Sequence, residues 1–389
     1  MCAQRFTSGS ETTGTTSAIH LGHGVASLVA ARKLRFLHIT DVHLDMDYAQ
    51  GEESNCVAPP CCRKGSIHQQ GVNPTGGSWR PARSYGENQC DTPAALLQSA
   101  LDAAQQLHPD FIVWGGDTAP HATASEQVAV TQGDSLEMLV NRQRQSVLDS
   151  LGNATAIFTA AFPHIPVLPS LGDMDHVPTS TDPGPPRNAW LLDAATRWWA
   201  QWLPEQSLDS LKWGGYYEVK LPGSELHVVV LNTEVCHVQN FHSFVDGGHA
   251  AREQLAWLEG VLLRARLARE SCLITGHIPP GVWGGCWGNY SSAYQELVSR
   301  YTDVVAGQLY GHQHSGSFRM LRHPPDPTNP AFGVAYVTPS LTPYKDQHPS
   351  FRLYELAGKP YVRLSAAHCP WPDTLIGPIL CPVHRVAEP

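Results

Sequence analysis

Long apolar runs are missing from these 389 residues. No stretch approaches the ~20 apolar residues a membrane-crossing helix needs, so no spanning helix is expected. Positive charge is in short supply: 26 Lys and Arg face 35 Asp and Glu, a net charge of −9. That balance argues against a surface for nucleic-acid polymers. It says little about small phosphorylated ligands, because bound metal ions would dominate the local field. No C-x-x-C pair occurs among the ten cysteines, which argues against a zinc finger. There is no G-x-S-x-G elbow and no Walker loop, so Ser/His/Asp catalysis and P-loop chemistry have no block to rest on. No internal repeat is present, and no linker splits the core, which reads as one domain. Residues 1–33 are rich in Ser, Thr and Gly and lack a long apolar h-region, so they read as a mobile tail without an evident signal peptide.

What is present is a repeated local pattern: a short apolar strand, a turn, and a side chain able to hold a metal. The first is Arg35-Phe-Leu-His-Ile-Thr-Asp-Val-His43, in which Leu34–Ile39 reads as a buried strand ending at Asp41 and His43. In extended backbone, residues i and i+2 point the same way, so these two can grip one cation. A carboxylate and an imidazole suit zinc, manganese or iron. Four further blocks follow: Phe111-Ile-Val-Trp-Gly-Gly-Asp117, Val167-Leu-Pro-Ser-Leu-Gly-Asp173, Cys272-Leu-Ile-Thr-Gly-His277 and Leu309-Tyr-Gly-His312-Gln-His314. Their glycines let the backbone turn sharply close to an ion. Asp41, His43, Asp117, Asp173, His277, His312 and His314 are too many ligands for one zinc and suit two metals sharing a carboxylate.

Between the blocks, a helix is expected from Asp91, with Thr92 able to cap it, Pro93 in its first turn and an apolar face of Leu97, Ala100, Leu101, Ala104 and Leu107. A polar helix is expected over Ser125–Leu151, a Trp-rich one over Ala189–Leu203, paired strands at Tyr216–Leu221 and Leu226–Asn232, and a long helix over His249–Arg269. Alternating strands and helices argue for α/β layering. After His314, Phe332–Val337, Phe351–Leu356 and Tyr361–Leu364 read as the far sheet of a sandwich, with Gly358 at a hairpin. Cys56, Cys61, Cys62 and Cys90 crowd one loop-rich stretch and read as a disulfide-stapled loop, whereas Cys272 in its apolar strand reads as a buried thiol. Asn153-Ala-Thr and Asn289-Tyr-Ser are glycosylation sequons.

The order D-x-H, G-G-D, G-[N/D], G-H, G-H-x-H resembles the calcineurin-like metallophosphoesterases. Asp41-Val-His-Leu-Asp-Met-Asp-Tyr48, the cysteine cluster, Gly116-Asp-Thr-Ala-Pro-His121 and Gly276-His-Ile-Pro-Pro-Gly281 look like its acid sphingomyelinase and acid sphingomyelinase-like branch. The resemblance covers about Leu34 to His368. It implies a catalytic domain at 34–368 built as a four-layer α/β/β/α sandwich, with a C-terminal tail at 369–389 that Cys369 and Cys381 could close. It also implies the pairs Cys56–Cys61, Cys62–Cys90 and Cys236–Cys286, leaving Cys2 over.

The same resemblance places Asp41, His43 and His314 on one metal and Asp173, His277 and His312 on the other, with Asp117 between them. The metals are two divalent cations, zinc first. They would neutralise phosphate oxygens and lower the pKa of a shared water, so that hydroxide attacks phosphorus in line. His121 matches a histidine that the branch uses near the scissile phosphate. One block departs from the family. Gly172-Asp-Met-Asp-His176 stands where Gly-Asn-His-Glu or Gly-Asn-His-Asp is usual, so Asp173 replaces a neutral ligand and Met174 a catalytic histidine. A thioether cannot donate a proton, and losing a general acid typically costs ~10²–10⁴-fold in rate. His176, two residues on, is the candidate replacement.

The expectation is a secreted or lysosomal-type phosphodiesterase acting on a small phosphodiester, nucleotide or phosphocholine-type. A metal-binding pseudoenzyme and a phosphomonoesterase are the alternatives. A saposin domain would have to fit in residues 1–33, where Cys2 is the only cysteine, so its absence is expected, together with a shortened C-terminal helical subdomain and weaker contact with membranes.

Overall fold

The alternation of apolar side chains along its strands places this chain's layers. The computed structural model describes residues 33–56, 58–64, 80–125, 135–281, 285–323, 328–358 and 363–370. In chain order the elements are β1 (Leu34–Ile39), α1 (Ala94–Gln105), β2 (Phe111–Trp114), α2 (Ala122–Ser125), α3 (Leu136–Ala161) and β3 (Val167–Pro169). There follow α4 (Ala189–Trp199), α5 (Glu205–Gly214), β4 (Tyr217–Lys220), β5 (Leu226–Val230), α6 (His242–Val245), α7 (His249–Ala268) and β6 (Ser271–Thr275). The last are α8 (Gly288–Ser299), β7 (Val305–Tyr310), β8 (Ser317–Arg322), β9 (Ala331–Val337), β10 (Ser350–Ala357) and β11 (Arg363–Pro370).

The strands form two sheets, ordered β11-β10-β1-β2-β3 and β4-β5-β6-β7-β9-β8. Strands β1, β2 and β3 are mutually parallel, as are β5, β6, β7 and β9. Parallel strands covered on both faces need apolar residues on both, which explains their near-continuous hydrophobic runs. Phe36 of β1 and Val228 and Val230 of β5 meet in one apolar cluster between the sheets. Their neighbours point the other way. Leu37 and Ile39 pack with Leu97, Leu101 and Phe158 of α1 and α3, while Val229 packs with Leu258, Leu262 and Leu297 of α7 and α8. The outcome is the α/β/β/α order of layers that the resemblance implies.

Three expectations need correction. The late strands do not form one far sheet: β9 joins the second sheet, whereas β10 and β11 pair with β1 in the first. Gly358 does turn the β10–β11 hairpin, with φ +104°. Helix α1 starts at Ala94 with Pro93 as its cap and no side-chain cap bond. Thr92 is spent in the backbone, bonding His43 and Asp45. Helix α3 runs ten residues past Leu151, through Gly152. A side chain there would sit 3.1 Å from the Trp198 ring, so this glycine serves helix packing rather than termination. Trp190, Trp198 and Trp202 pack against the inter-sheet cluster, as expected for a helix held to the body.

Disulfides join Cys56–Cys61, Cys62–Cys90 and Cys236–Cys286, and Cys272 is a buried free thiol. The N-terminal tail, Cys2 and Cys381 lie outside the described residues. Residue 369 falls within β11, so the expected C-terminal tail begins inside a strand. Among the described residues no helix is long and apolar enough to cross a membrane.

Candidate metal centre

Every one of the seven candidate ligands follows the carboxyl end of a parallel strand. Asp41 and His43 follow β1, Asp117 β2, Asp173 β3, His277 β6, and His312 and His314 β7. Open α/β sheets bind ligands in such a crevice. Backbone bonds stitch the loops together. Asp41 N donates to Gly116 O (3.1 Å), His43 N to Asp117 O (2.9 Å) and Gly311 N to His277 O (2.8 Å). Asp41, His43, Asp117, His312 and His314 all have positive φ, between 44° and 69°. Non-glycine residues take that conformation uncommonly, although Asp and His do so more than most. Gly172 and Gly311 allow close approach: a Cβ at Gly172 would lie 2.2 Å from Asp117 Oδ1, and one at Gly311 2.5 Å from Asp41 Oδ2.

The ligands fall into two sets that share Asp117. Asp41, His43, Asp117 and His314 form one, and Asp117, Asp173, His277 and His312 the other, with ligand atoms inside each set all within 4.8 Å of one another. Asp117 Oδ2 is 3.6 Å from His43 Nε2 and 3.2 Å from His277 Nε2. His43 Nε2 and His314 Nε2 lie 3.1 Å apart, close to the ~3.3 Å that two nitrogens span on a tetrahedral ion with ~2.0–2.1 Å bonds. Outer contacts orient the rings. His43 Nδ1 donates to Ala119 O at 2.9 Å and His277 Nδ1 to Gly115 O at 2.8 Å, which turns each Nε2 inward. In burial, donor type and convergence the residues fit two metal ions.

The two sets differ in protonation. Burial holds His43 well below the ordinary imidazole value, and His121 and His314 beside it add to the effect. His314 is pushed down to about 3, again by burial first and His121 second. In the second set burial also disfavours charge on His277, but Asp117 and Asp173 outweigh it and hold that histidine well above its usual value. Asp173 does the same for His312. Asp173 itself is pushed up by burial, yet His312 and His277 prevail and hold it well below the usual carboxylate range. The 2.8 Å His312 Nδ1–Asp173 Oδ1 and 3.1 Å His277 Nε2–Asp173 Oδ1 contacts are the geometric cause. Burial pushes Asp41 up to about 7.

Comparison with known proteins identifies the family. The calcineurin-like phosphoesterase pattern matches residues 34–316. The chain belongs to the calcineurin-like phosphoesterases. It is 31% identical to a human sphingomyelin phosphodiesterase over 83% of its own length and 48% of the relative's. It is 33% identical to sphingomyelin phosphodiesterase A of Dictyostelium discoideum, covering 82% of this chain and 50% of that one. It is 31% identical to the human acid sphingomyelinase-like phosphodiesterase 3b, covering 81% and 64%. The chain thus spans about half the length of the two sphingomyelin phosphodiesterases.

In this calcineurin-like phosphoesterase, His121 lies beside the first set. Its ring stacks on His43 at 3.9 Å between centroids, and it groups with His43 and His314. Asp91 holds it twice, accepting from His121 N and Nδ1 at 2.7 Å each. Burial lowers the His121 pKa, but Asp91 outweighs burial and raises it overall. His176 is buried, with Nε2 lacking a hydrogen-bond partner, and stands outside both sets. Its electrostatic influence falls on Glu234. Met174 is buried, and its backbone N–H donates to Asp117 Oδ1 at 2.8 Å.

Several residues here were not foreseen. Asp91 was expected to open a helix and instead positions His121. Asp175 accepts from the backbone N–H groups of Gly172, Thr118 and Ala119 at 2.8–2.9 Å, fastening the Asp173 turn to the Asp117 turn. Glu234 is buried beside His237, whose Nδ1 lies 3.3 Å from its Oε1, and the His237 ring meets the His312 ring edge-on at 5.5 Å. The Cys236–Cys286 disulfide ties that pair to the loop at Gly285, whose carbonyl accepts from Val238 N. The sequence signals near these groups were the departure from Gly-Asn-His for Asp175 and the expected Cys236–Cys286 pair for Glu234 and His237.

Proposed function

We propose that this chain is a dimetal phosphodiesterase that cleaves phosphodiester or phosphoanhydride bonds of small soluble substrates or phospholipid head groups. The observation that carries the reading is Asp117 shared between two convergent His/Asp sets. Asp41, His43 and His314 would hold one ion, and Asp173, His277 and His312 the other, with Asp117 contributing to both. Zinc is the expected metal, given nitrogen and carboxylate donors near tetrahedral spacing. Bound, the two cations supply charge to neutralise the phosphate and an activated water. The protein's part is to fix both cations and to place His121 at the leaving side, oriented by its hydrogen bond to Asp91. His176 is the second candidate for proton delivery.

The catalytic unit in this reading is residues 34–368. Three disulfides support a secreted or lysosomal setting. Asn153 and Asn289 are both exposed, which favours their use as glycosylation sites there. One observation favours a second reading, a metal-binding pseudoenzyme: buried Met174 stands where the family places a proton donor. Metal analysis of the purified protein, run beside a panel of diesters with good and poor leaving groups, separates the two. The enzyme reading requires two equivalents of metal and turnover of at least the diesters with good leaving groups. Two equivalents with no turnover of any diester would leave the pseudoenzyme. Fewer than two equivalents in protein prepared with added zinc would remove the dimetal reading itself.

A further inference from the structure

The segment after β9 reaches back over the centre and carries a charge that the metal chemistry does not require. Ser340 N donates to His314 O (3.0 Å), Leu341 N to Thr40 O (3.1 Å) and Thr342 N to Asp41 O (3.0 Å). The segment is therefore built onto the ligand loops. Beyond it, the Tyr344 ring packs against His121 at 4.5 Å, and the Lys345 ammonium sits 5.3 Å from the Tyr344 ring centre. An unbroken line of contacts runs from His43 through His121 and Tyr344 to Lys345. Lys345 is exposed, and it forms no ion pair with any described residue.

The backbone here is unusual. Lys345 and Asp346 are consecutive residues with φ +59° each. Side chains with a Cβ disfavour that conformation, and such outliers persist where the surroundings enforce them and cluster at functional sites. The enforcing bonds are Asp346 N to Asn88 O (3.3 Å), Gln347 N to Pro343 O (3.1 Å) and Gln347 Nε2 to Lys345 O (3.1 Å). The turn keeps the lysine's flexible stem lying over Tyr344, toward the His121 side of the cleft.

Charge arithmetic gives this lysine a use. Before the water is deprotonated, Asp41, Asp117 and Asp173 place three carboxylates on two divalent cations, leaving one net positive charge, which a single phosphodiester anion cancels. A neutral ligand at position 173 would leave two. The centre is thus matched to one negative charge, and a substrate carrying a second needs a cation from elsewhere. Resting on the dimetal reading above, we infer that Lys345 is a specificity-determining residue that binds a second anionic group on the leaving side of the substrate. The favoured class is then a phosphoanhydride, or a diester with a further phosphate on its leaving group, ahead of a diester whose leaving group is uncharged.

The test uses the full chain loaded with zinc and two readouts. The first is equilibrium dialysis with adenosine 5′-(α,β-methylene)diphosphate, which carries two linked phosphorus groups and resists cleavage. Lys345→Ala should weaken its binding about tenfold, the loss of one charge-assisted contact. Lys345→Arg should retain most of the affinity. Lys345→Gly separates charge from strain. Glycine is at ease at positive φ, so this variant should be at least as heat-stable as the parent yet bind as weakly as Lys345→Ala. The second readout is kcat/KM on ADP, on bis(p-nitrophenyl) phosphate and on p-nitrophenylphosphorylcholine. Lys345→Glu should lower the first through KM and leave the other two, whose leaving group carries no phosphate, within about twofold. Equal affinity of parent and Lys345→Ala for the methylene analogue overturns the inference. So does an unchanged ratio of kcat/KM on ADP to kcat/KM on the two p-nitrophenyl diesters in Lys345→Glu. Absence of turnover on all three by the parent protein would count against the dimetal reading, while the dialysis result still decides the role of Lys345.

Discussion

The two halves of the centre hold their histidines in opposite states. In the first, His43 and His314 are driven neutral by burial among other imidazoles. In the second, His277 and His312 keep their protons because Asp173 and Asp117 lie within about one hydrogen bond of them. One half therefore resembles a ready ligand set, whereas the other is a set of ion pairs from which a metal must displace protons. The chemical difference comes down to Asp173, an acid where a neutral ligand is usual in the family.

The harshest way to break this comparison is Asp117→Asn, because Asp117 belongs to both halves. Metal should be lost from both positions, and activity should fall by more than the ~10–100-fold typical of outer-sphere partners. Two full equivalents of metal remaining in the variant would show that the halves do not share this carboxylate.

A gentler probe is pH. The raised values of His277 and His312 mean that protons compete for the second half as pH falls through those values. His314, at about 3, scarcely competes in that range. Dialysis across decreasing pH should therefore show occupancy step from two equivalents to one before the last is lost. In metal-free protein the sign for stability is opposite in the two halves. The charged pairs of the second half contribute fully below the ordinary histidine value of about 6.5 and lose that contribution as pH rises through the raised values. The neutral histidines of the first half lose theirs as pH falls below about 6.5, where the unfolded chain takes up protons. A single concerted release of both metals would contradict the difference between the halves.

Met174→His sharpens the comparison from the side of the chemistry. Turnover of a diester with a poor leaving group should rise about 10-fold or more, within the range of general acid catalysis, and a good leaving group should gain much less. Asp173→Asn added to it should raise turnover further, since it restores positive field on the phosphate. No gain on any diester in either variant would favour the pseudoenzyme. The smallest effect is expected from Asp91→Asn. With Asp91 gone, only Asp117 still opposes the burial of His121, its pKa falls, and the alkaline limb of the pH–rate profile should move down by roughly one unit. An unmoved limb would remove His121 from the proton inventory.

Legibility in the sequence followed locality. Each metal-binding candidate sits within a few residues of its strand, and all but Asp41 and His43 close to a glycine as well, so one short block displays strand, turn and donor together. Asp91 could not be read, because its partner His121 is thirty residues away and nothing near Asp91 signals a carboxylate–imidazole bond. Glu234 and His237 were hidden for the same reason: their meaning depends on His312 and on a disulfide to Cys286. Strand β8 was missed because it is an edge strand with Phe318 and Met320 exposed, Arg319 between them and Leu321 alone buried, a pattern without an alternating apolar face. The end of α3 was misplaced because Gly152 reads as a helix breaker until the ring of Trp198 is seen against it.

The left-handed backbone at five of the seven ligand positions has a consequence for anyone breeding sturdier versions of this protein. Glycine or asparagine would rest more easily at Asp41, His43, Asp117, His312 and His314 than at almost any other position. A selection that scores heat tolerance of metal-free protein alone would therefore reward the loss of these very side chains, trading catalysis for durability. Screened with zinc in the medium, the same library should keep them, because the bound ions return more free energy than the strained turns consume.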